Sequence, residues 1–267
     1  MTNSSRVIFF GSQGNDKKNG GNGDDLLLGQ VGQDTLDGGY GNDQILGGDG
    51  DDCLYGQRGI DFIFGEAGND KIDGGYDSDF IDGGIGADTL LGGYGNDIIV
   101  GGDGQDNMTG GSGVDRFLYA GNLFANGPTT PAGNTGINIL NTPDVIEDFD
   151  IGHEQFLFKG KDVNINQLRF QKGKSSEIHH DGNVIVLTDP FAAAGAAAKA
   201  IKDNNNIKAD AGIFVYFNTT LQLSRVVYSK DLSDGGDISV LANLKNQAGQ
   251  TGINNLGAFS ANNFALV

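Results

Sequence analysis

GSQGNDKKN GGNGDDLLL GQVGQDTLD GGYGNDQIL GGDGDDCLY GQRGIDFIF GEAGNDKID GGYDSDFID GGIGADTLL GGYGNDIIV GGDGQDNMT GGSGVDRFL: residues 11 to 118 repeat every nine positions, twelve times, with no insertion or deletion. Position 6 is aspartate in every unit: Asp16, Asp25, Asp34, Asp43, Asp52, Asp61, Asp70, Asp79, Asp88, Asp97, Asp106 and Asp115. Position 1 is always glycine, position 4 is glycine except at Asp77, and position 8 is apolar except at Lys18. A Gly/Asp-rich linker has no reason to hold aspartate in phase or to place an aliphatic residue two positions later, so the block reads as folded structure.

Glycine adopts φ above zero without steric cost, so the first six residues of a unit can form a tight turn with inward carbonyls. The last three, x-U-x, then make one short strand with U facing the core. Two units close a coil of 18 residues, which stacks turns of like parity at about 4.8 Å. Each aspartate thereby comes near the turn 18 residues away. The oxygens that converge there are one carboxylate per turn and several carbonyls, a flexible shell that suits calcium better than magnesium. The predicted ligands are Asp25, Asp34, Asp43, Asp52, Asp61, Asp70, Asp79, Asp88, Asp97, Asp106 and Asp115, with the carbonyls of Gly21, Gly23, Gly32, Gly39, Gly41, Gly48, Gly50, Gly59, Gly68, Gly75, Gly84, Gly86, Gly93, Gly95, Gly102 and Gly104. Twelve turns make two columns of six, whose five gaps apiece allow about ten ions. Zinc is excluded, since the block has no histidine and one thiol, Cys53.

The pattern G-G-x-G-x-D-x-U-x resembles the nonapeptide of RTX (haemolysin-type) calcium-binding proteins. The resemblance implies a mainly β fold, a right-handed parallel β-roll, with Ca2+ as cofactor and a secreted, extracellular or cell-surface location. It extends beyond the repeats. Asp115-Arg116-Phe117-Leu118-Tyr119 followed by DVIEDFDIG at 144–152 is similar to the segment that closes the roll in many RTX proteins. The tail Phe259–Val267 is like the apolar-ended export signals of the type I route, although Asn263 stands where an acidic residue is common.

Charge separates the chain into two parts. Residues 11–118 hold 21 acidic and 5 basic side chains, a net of −16, whereas the rest holds 14 and 12, a net of −2. Such a block repels itself, so it is expected to stay unfolded until calcium arrives. With a pI of about 4.2 and no basic stripe, nucleic acid is not an expected partner. No apolar run reaches membrane-spanning length, and Val7–Phe10 is too short for a signal-peptide core.

The expected organisation is a cap strand in residues 1–10, the roll in 11–118, a loop and closing segment in 119–159, and an α+β region in 160–267. Because Lys18 takes an inward position, the lowest coil is expected to fray or to pack differently. Leu27, Leu36, Ile45, Leu54, Ile63, Ile72, Ile81, Leu90, Ile99, Met108 and Phe117 form the predicted core file. Outer positions 7 and 9 are apolar at nine of twelve places in even units (Leu46, Phe62, Phe64, Phe80 and Ile98 among them) but at three in odd units. That contrast predicts that the even face is buried, by the C-terminal part or a second molecule. Tyr40, Arg58, Tyr76 and Tyr94 recur at one edge as a packed ladder or a glycan-binding stripe. Asp144, Glu147, Asp148 and Asp150 read as turn residues, with a further calcium site as the alternative.

In the C-terminal region, strands are predicted at 184–187, 213–217 and 223–228. One helix is predicted with Asp189 as N-cap, Pro190 at its first position, Lys199 and Lys202 near its end, and Asn204-Asn205-Asn206 stopping it. A second is predicted at Ile238–Lys245. There is no H-E-x-x-H and no G-x-S-x-G, and the only histidines are His153, His179 and His180, so no catalytic module is expected. Two functions fit: a secreted calcium-binding structural protein that self-associates or adheres, or a calcium-dependent polysaccharide-binding module like the R-modules of alginate epimerases.

Overall fold

A computed structural model describes residues 5–120, 130–131, 138–139, 143–178, 182–204, 211–231 and 238–267. Most of the long loop expected after the repeats, the His179-His180 pair and Asn205-Asn206 lie outside the described residues. The chain divides into two compact units, Met1–Leu118 and Tyr119–Val267.

In the first unit each nonapeptide supplies one strand, and the strand is longer than x-U-x. It begins at position 7 and continues through position 3 of the next unit. The strands are β1 (Ile8–Phe10), β2 (Lys17–Asn22), β3 (Leu26–Val31), β4 (Thr35–Tyr40), β5 (Gln44–Asp49), β6 (Cys53–Arg58), β7 (Phe62–Ala67), β8 (Lys71–Tyr76), β9 (Phe80–Ile85), β10 (Thr89–Tyr94), β11 (Ile98–Asp103), β12 (Asn107–Ser112) and β13 (Arg116–Tyr119). The glycines at positions 1 and 2 stay in the ladder, as the pairs Gly21↔Gly39 and Gly93↔Gly111 show. The turn therefore shrinks to positions 4 to 6.

Odd-numbered strands pair in parallel in the order β1-β3-β5-β7-β9-β11-β13, and even-numbered ones in the order β12-β10-β8-β6-β4-β2. The register advances by 18 residues at each step, for example Ile45↔Ile63 and Leu54↔Ile72. All eleven members of the predicted core file are buried, at 0 to 1 % exposure. Only one side chain per strand is enclosed, so the apolar contribution, about 1.5–3 kcal/mol per side chain, is thin for a charged solenoid. The lowest coil keeps its register and packs differently at Lys18. Lys18 pairs with Leu36 in register and is half-buried, its ammonium 6.0 Å from the centroid of the Phe9 ring. The ring face offers the ammonium a cation–π partner.

In the second unit a short antiparallel pair, β14 (Thr130–Pro131) and β15 (Asn138–Ile139), precedes β16 (Asp144–Ile146) and β17 (Gln155–Phe158). There follow β18 (Phe170–Gly173), β19 (Val184–Leu187), helix α1 (Ala194–Lys202), β20 (Gly212–Asn218), β21 (Leu223–Ser229), β22 (Ile238–Ala248), helix α2 (Gly249–Asn255) and β23 (Phe264–Leu266). The main sheet runs β18-β19-β20-β21-β22-β16, and β17 pairs with β23. Helix α1 buries Ala194, Ala197, Ala198 and Ile201 against Ile185, Leu187, Phe214, Tyr216, Val227 and Val240. A second cluster stacks Phe149 on Phe156 at 4.5 Å and on Phe259 at 6.0 Å.

Two local expectations are corrected. The segment 238–245 is strand, because β22 pairs with β21 on one edge and β16 on the other. Its near-continuous burial is that of a strand covered on both faces, and from the sequence such a run mimics a helix. Helix α1 starts four residues later than predicted, with Ala193 as N-cap and no side-chain cap. Asp189 instead accepts from the Ser175 backbone N–H at 2.8 Å and its hydroxyl at 2.6 Å. Phe191, meanwhile, bridges to Asn218 at the end of β20, which holds the chain extended.

Candidate metal centre

The phased aspartates line up in two columns, one per row of turns. In each, Oδ1 accepts the backbone N–H of the aspartate 18 residues earlier. The distances are 2.7 Å from Asp25 to Asp43, 2.7 Å from Asp43 to Asp61, 2.8 Å from Asp61 to Asp79 and 2.8 Å from Asp79 to Asp97. The other column repeats this from Asp16 through Asp34, Asp52, Asp70 and Asp88 to Asp106, at 2.7 to 2.9 Å. Asp115 and Asp25 complete the set, accepting from Asp97 and Val7. Asp16, in the first unit, accepts from the backbone N–H and hydroxyl of Ser12.

The second carboxylate oxygen decides the chemistry. In Asp25, Asp34, Asp43, Asp52, Asp61, Asp70, Asp79, Asp88 and Asp97, Oδ2 is enclosed and accepts no hydrogen bond, within residues that are at most 3 % exposed. A desolvated carboxylate oxygen without a donor costs several kcal/mol unless a cation faces it, about 1–3 kcal/mol even for a neutral group. Nine of them, five in one column and four in the other at 18-residue intervals, are a donor set for two rows of hard cations. Among the described residues no three His, Cys, Asp or Glu side chains converge, so backbone carbonyls must complete each shell.

Those carbonyls are at hand. All sixteen predicted glycines at positions 2 and 4 lie in the left-handed region, with φ from 98° to 147°. Where a glycine also stands 18 positions on, the carbonyl oxygen comes close to it. The point where a Cβ on Gly39 would sit is 2.3 Å from the Gly21 carbonyl oxygen, and that on Gly41 is 2.3 Å from the Gly23 oxygen. The same approach recurs up both columns, for instance from Gly75 to Gly93 and from Gly86 to Gly104. Gln30, Gln57 and Glu66 at position 2, and Asp77 at position 4, keep φ between 74° and 81°. Each holds the turn at a cost of about 1–2 kcal/mol, so the repeat tolerates them without losing register.

Position 1 was missed as a functional position. Its glycines are not left-handed, and their role is space. A Cβ on Gly56 would lie 2.4 Å from Asp61 Oδ2 and 2.6 Å from the Gly74 carbonyl oxygen. Glycine in twelve units of twelve was the available signal. Position 5 was missed too. Asn15, Asp24, Asn42, Asp51, Asn69, Ser78 and Asn96 each accept the backbone N–H of the residue 18 positions on, which ties successive turns.

Burial raises the carboxyl pKa of Asp43, Asp52, Asp97 and Asp106 to about 6, of Asp61 and Asp88 to about 7 and of Asp79 to about 8. Accepted backbone hydrogen bonds offset this in part. Without a cation these groups resist ionisation, and a divalent ion supplies the charge that they lack.

Of the other predicted residues, Asp150 makes a turn: its Oδ1 accepts from Gly152 N–H at 2.8 Å and its Oδ2 sits 2.8 Å from His153 Nδ1. Glu147 pairs with Lys245 at 2.7 Å. At the roll's edge Tyr76 and Tyr94 stack at 5.1 Å, and the Arg58 guanidinium lies 5.7 Å from the Tyr40 ring and 5.1 Å from the Tyr76 ring. In the single chain the apolar face stays partly open. Phe62 is 46 % exposed, and Leu46, Phe64, Phe80 and Ile98 are half-buried.

A parallel β-roll with two rows of carboxylate and carbonyl oxygens between its turns is a metal-binding solenoid. Residues 8–36, 19–54, 29–63, 55–90 and 82–117 each match the family model of the RTX calcium-binding nonapeptide repeat (4 copies). The first unit is thus built of RTX calcium-binding repeats. Among solved structures, the solution structure of the AlgE6R3 subunit from the Azotobacter vinelandii mannuronan C5-epimerase is similar over 77 % of this chain and 79 % of its own, at 22 % identity and a TM-score of 0.39. No curated protein matches the chain.

Proposed function

We propose that calcium enters between successive turns, held by Oδ2 of Asp25 through Asp115 and by carbonyls of positions 2 and 4, and that the loaded roll acts in assembly or adhesion at a cell surface. The row of enclosed, donor-less Oδ2 atoms carries the first half of this reading. Charge links it to the second. The block's net of −16 is cancelled by about eight divalent ions, so loading converts a self-repelling chain into a near-neutral rod. That rod presents a half-open apolar face on the odd-numbered strands, in which Phe80 packs 6.2 Å from Phe62 and 5.7 Å from Phe64. A neutral rod with such a face associates; an anionic one does not. The reading includes no catalytic role.

The tail fits a secreted protein if it is recognised before folding, because Phe264 and Asn263 are buried once folded and β23 is paired with β17. The test is mass measurement of the full chain by light scattering, with calcium and with chelator. Calcium is expected to give compact oligomers, and Phe62→Asp to give compact monomers with unchanged calcium content. A compact monomer of the parent at every calcium concentration overturns the assembly reading, and a chain equally folded in chelator overturns the calcium reading.

A further inference from the structure

The outer surface of the even-numbered strands carries a groove. Its floor is the position-2 column, Gly21, Gly39, Gln57, Gly75 and Gly93, four of the five being glycine. The position-9 column forms one wall and the Tyr40–Arg58–Tyr76–Tyr94 ladder the other. Two recesses of about 460 and 240 Å³ share Gln57 and Tyr76, and so run into each other along the roll axis. At about 4.8 Å per strand, the five strands β2 to β10 give it a length of about 20 Å.

Three observations define an occupant. The groove is walled by exposed tyrosines, with Tyr40 at 58 %, Tyr76 at 48 % and Tyr94 at 59 %. Its charges nearly cancel: Asp37 and Asp73 on one side face Arg58 on the other, and Arg58 makes no ion pair among the described residues. A polyanion meets two carboxylates there, and a polycation meets the guanidinium. Finally, Asp37 Oδ1 is enclosed and accepts no hydrogen bond. Outside the calcium columns it is the one such carboxylate oxygen among the described residues, and it lies in the wall of the larger recess. That oxygen is closed to a ligand, so Asp37 accepts a donor from the groove through its other oxygen, Oδ2. An extended, uncharged chain rich in hydroxyl groups and with apolar ring faces satisfies all three conditions.

We infer that this groove binds a linear neutral polysaccharide, with about four sugar rings lying across β2 to β10. Asp37, Gln57 and Asp73 accept or share hydroxyl hydrogens, and the tyrosine ladder packs against the ring faces and edges. Calcium is required only because it folds the strands that carry the two walls, so the site rests on the calcium reading but not on self-association.

The experiment is affinity electrophoresis of the full chain with calcium in native gels containing hydroxyethylcellulose, mixed-linkage β-glucan, galactomannan, alginate or polygalacturonate. Retardation by at least one of the three neutral polymers is expected. Tyr76→Ala and, separately, Asp37→Ala are expected to weaken it about tenfold, the scale of one lost stacking or hydrogen-bonding partner. Both side chains are on the outer surface, and circular dichroism with calcium verifies that the variants fold. A variant that fails to fold is replaced by Tyr94→Ala, judged by the same criterion. Retardation by no neutral polymer, retardation by the acidic polymers alone, or undiminished binding by the variants overturns the inference. If the parent is oligomeric and Tyr76→Ala is not, the groove is a self-contact, which also overturns it. A chain that does not fold with calcium fails earlier, in the dichroism, and so is told apart from a folded chain that ignores glycans.

Discussion

Replacing Gly65 by alanine tests how full the space between turns is. Gly65 is not in the left-handed region, so the substitution adds a methyl group without backbone strain. That methyl carbon would lie 2.3 Å from Asp70 Oδ2 and 2.3 Å from the Gly83 carbonyl oxygen, where carbons do not come within 3.0 Å of such atoms. The gap must therefore open by about 0.7 Å. Asp70 can swing aside, which strips the Asp52 N–H of its 2.8 Å hydrogen bond. A buried donor left alone costs about 1–3 kcal/mol. Alternatively β7 parts from β9, which breaks several ladder bonds at greater cost. Either relaxation ruins one cage. Folding is linked to several ions at once, so a loss of about 2 kcal/mol spread over about eight ions moves the calcium midpoint only about 1.5-fold. Stoichiometry is the sharper readout. Calcium bound per folded chain, measured by atomic emission after gel filtration, is expected to fall by about one ion. Gly257→Ala, with nothing within 4 Å of the added carbon, serves as control. A Gly65→Ala protein with the parent's ion count and midpoint refutes the account of position 1.

Further outcomes follow from the same geometry. The raised aspartate pKa values mean that the metal-free roll gains stability from protonation, fully present below the unfolded carboxylate value of about 4 and lost as pH rises through about 6 to 8. Acidifying the calcium-free chain toward pH about 4 is thus expected to restore β-structure in circular dichroism, and a chain that stays unfolded there contradicts the assignment. Calcium binding to the roll that acid has folded, near pH about 4, is expected to release protons, measurable as buffer-dependent heat in calorimetry; an identical heat in buffers of different ionisation enthalpy counts against it. Leu54→Ala removes a fully buried core side chain and is expected to cost about 2–5 kcal/mol, while Thr89→Ala on the outer face changes stability by less than about 0.5 kcal/mol. Equal calcium midpoints for the two would show that the core file contributes nothing to the roll. Phe149→Ala is expected to destabilise the second unit by about 3–5 kcal/mol, lowering its melting temperature with calcium stoichiometry unchanged; loss of bound calcium would show that the rings serve the first unit.

The sequence by itself determined the roll. A strict period of nine fixes which side chain points inward, because pleating alternates and one apolar residue per unit leaves a single choice of face. It also fixed the metal class, since carboxylates spaced by two units can meet only across one coil. What it did not determine was how the oxygens divide their work. Only the stacked structure shows that Asp43 Oδ1 goes to the Asp25 N–H while Oδ2 stays without a donor, and that Gly38 must lack a Cβ to make room for it. The repeat carries these demands as invariance, but invariance does not say whether a glycine supplies a dihedral angle or empty space. In the second unit there is no period to lean on. Ile238 to Lys245 reads as helix from its spacing, and the decision for strand comes from partners distant in sequence, Leu223–Ser229 and Asp144–Ile146, which satisfy its backbone on both edges. Asp189 is a good helix cap by type, yet Ser175 claims it first. Local pattern decides where the chain repeats itself; where it does not, long-range hydrogen bonding and burial decide, and these are properties of the folded whole.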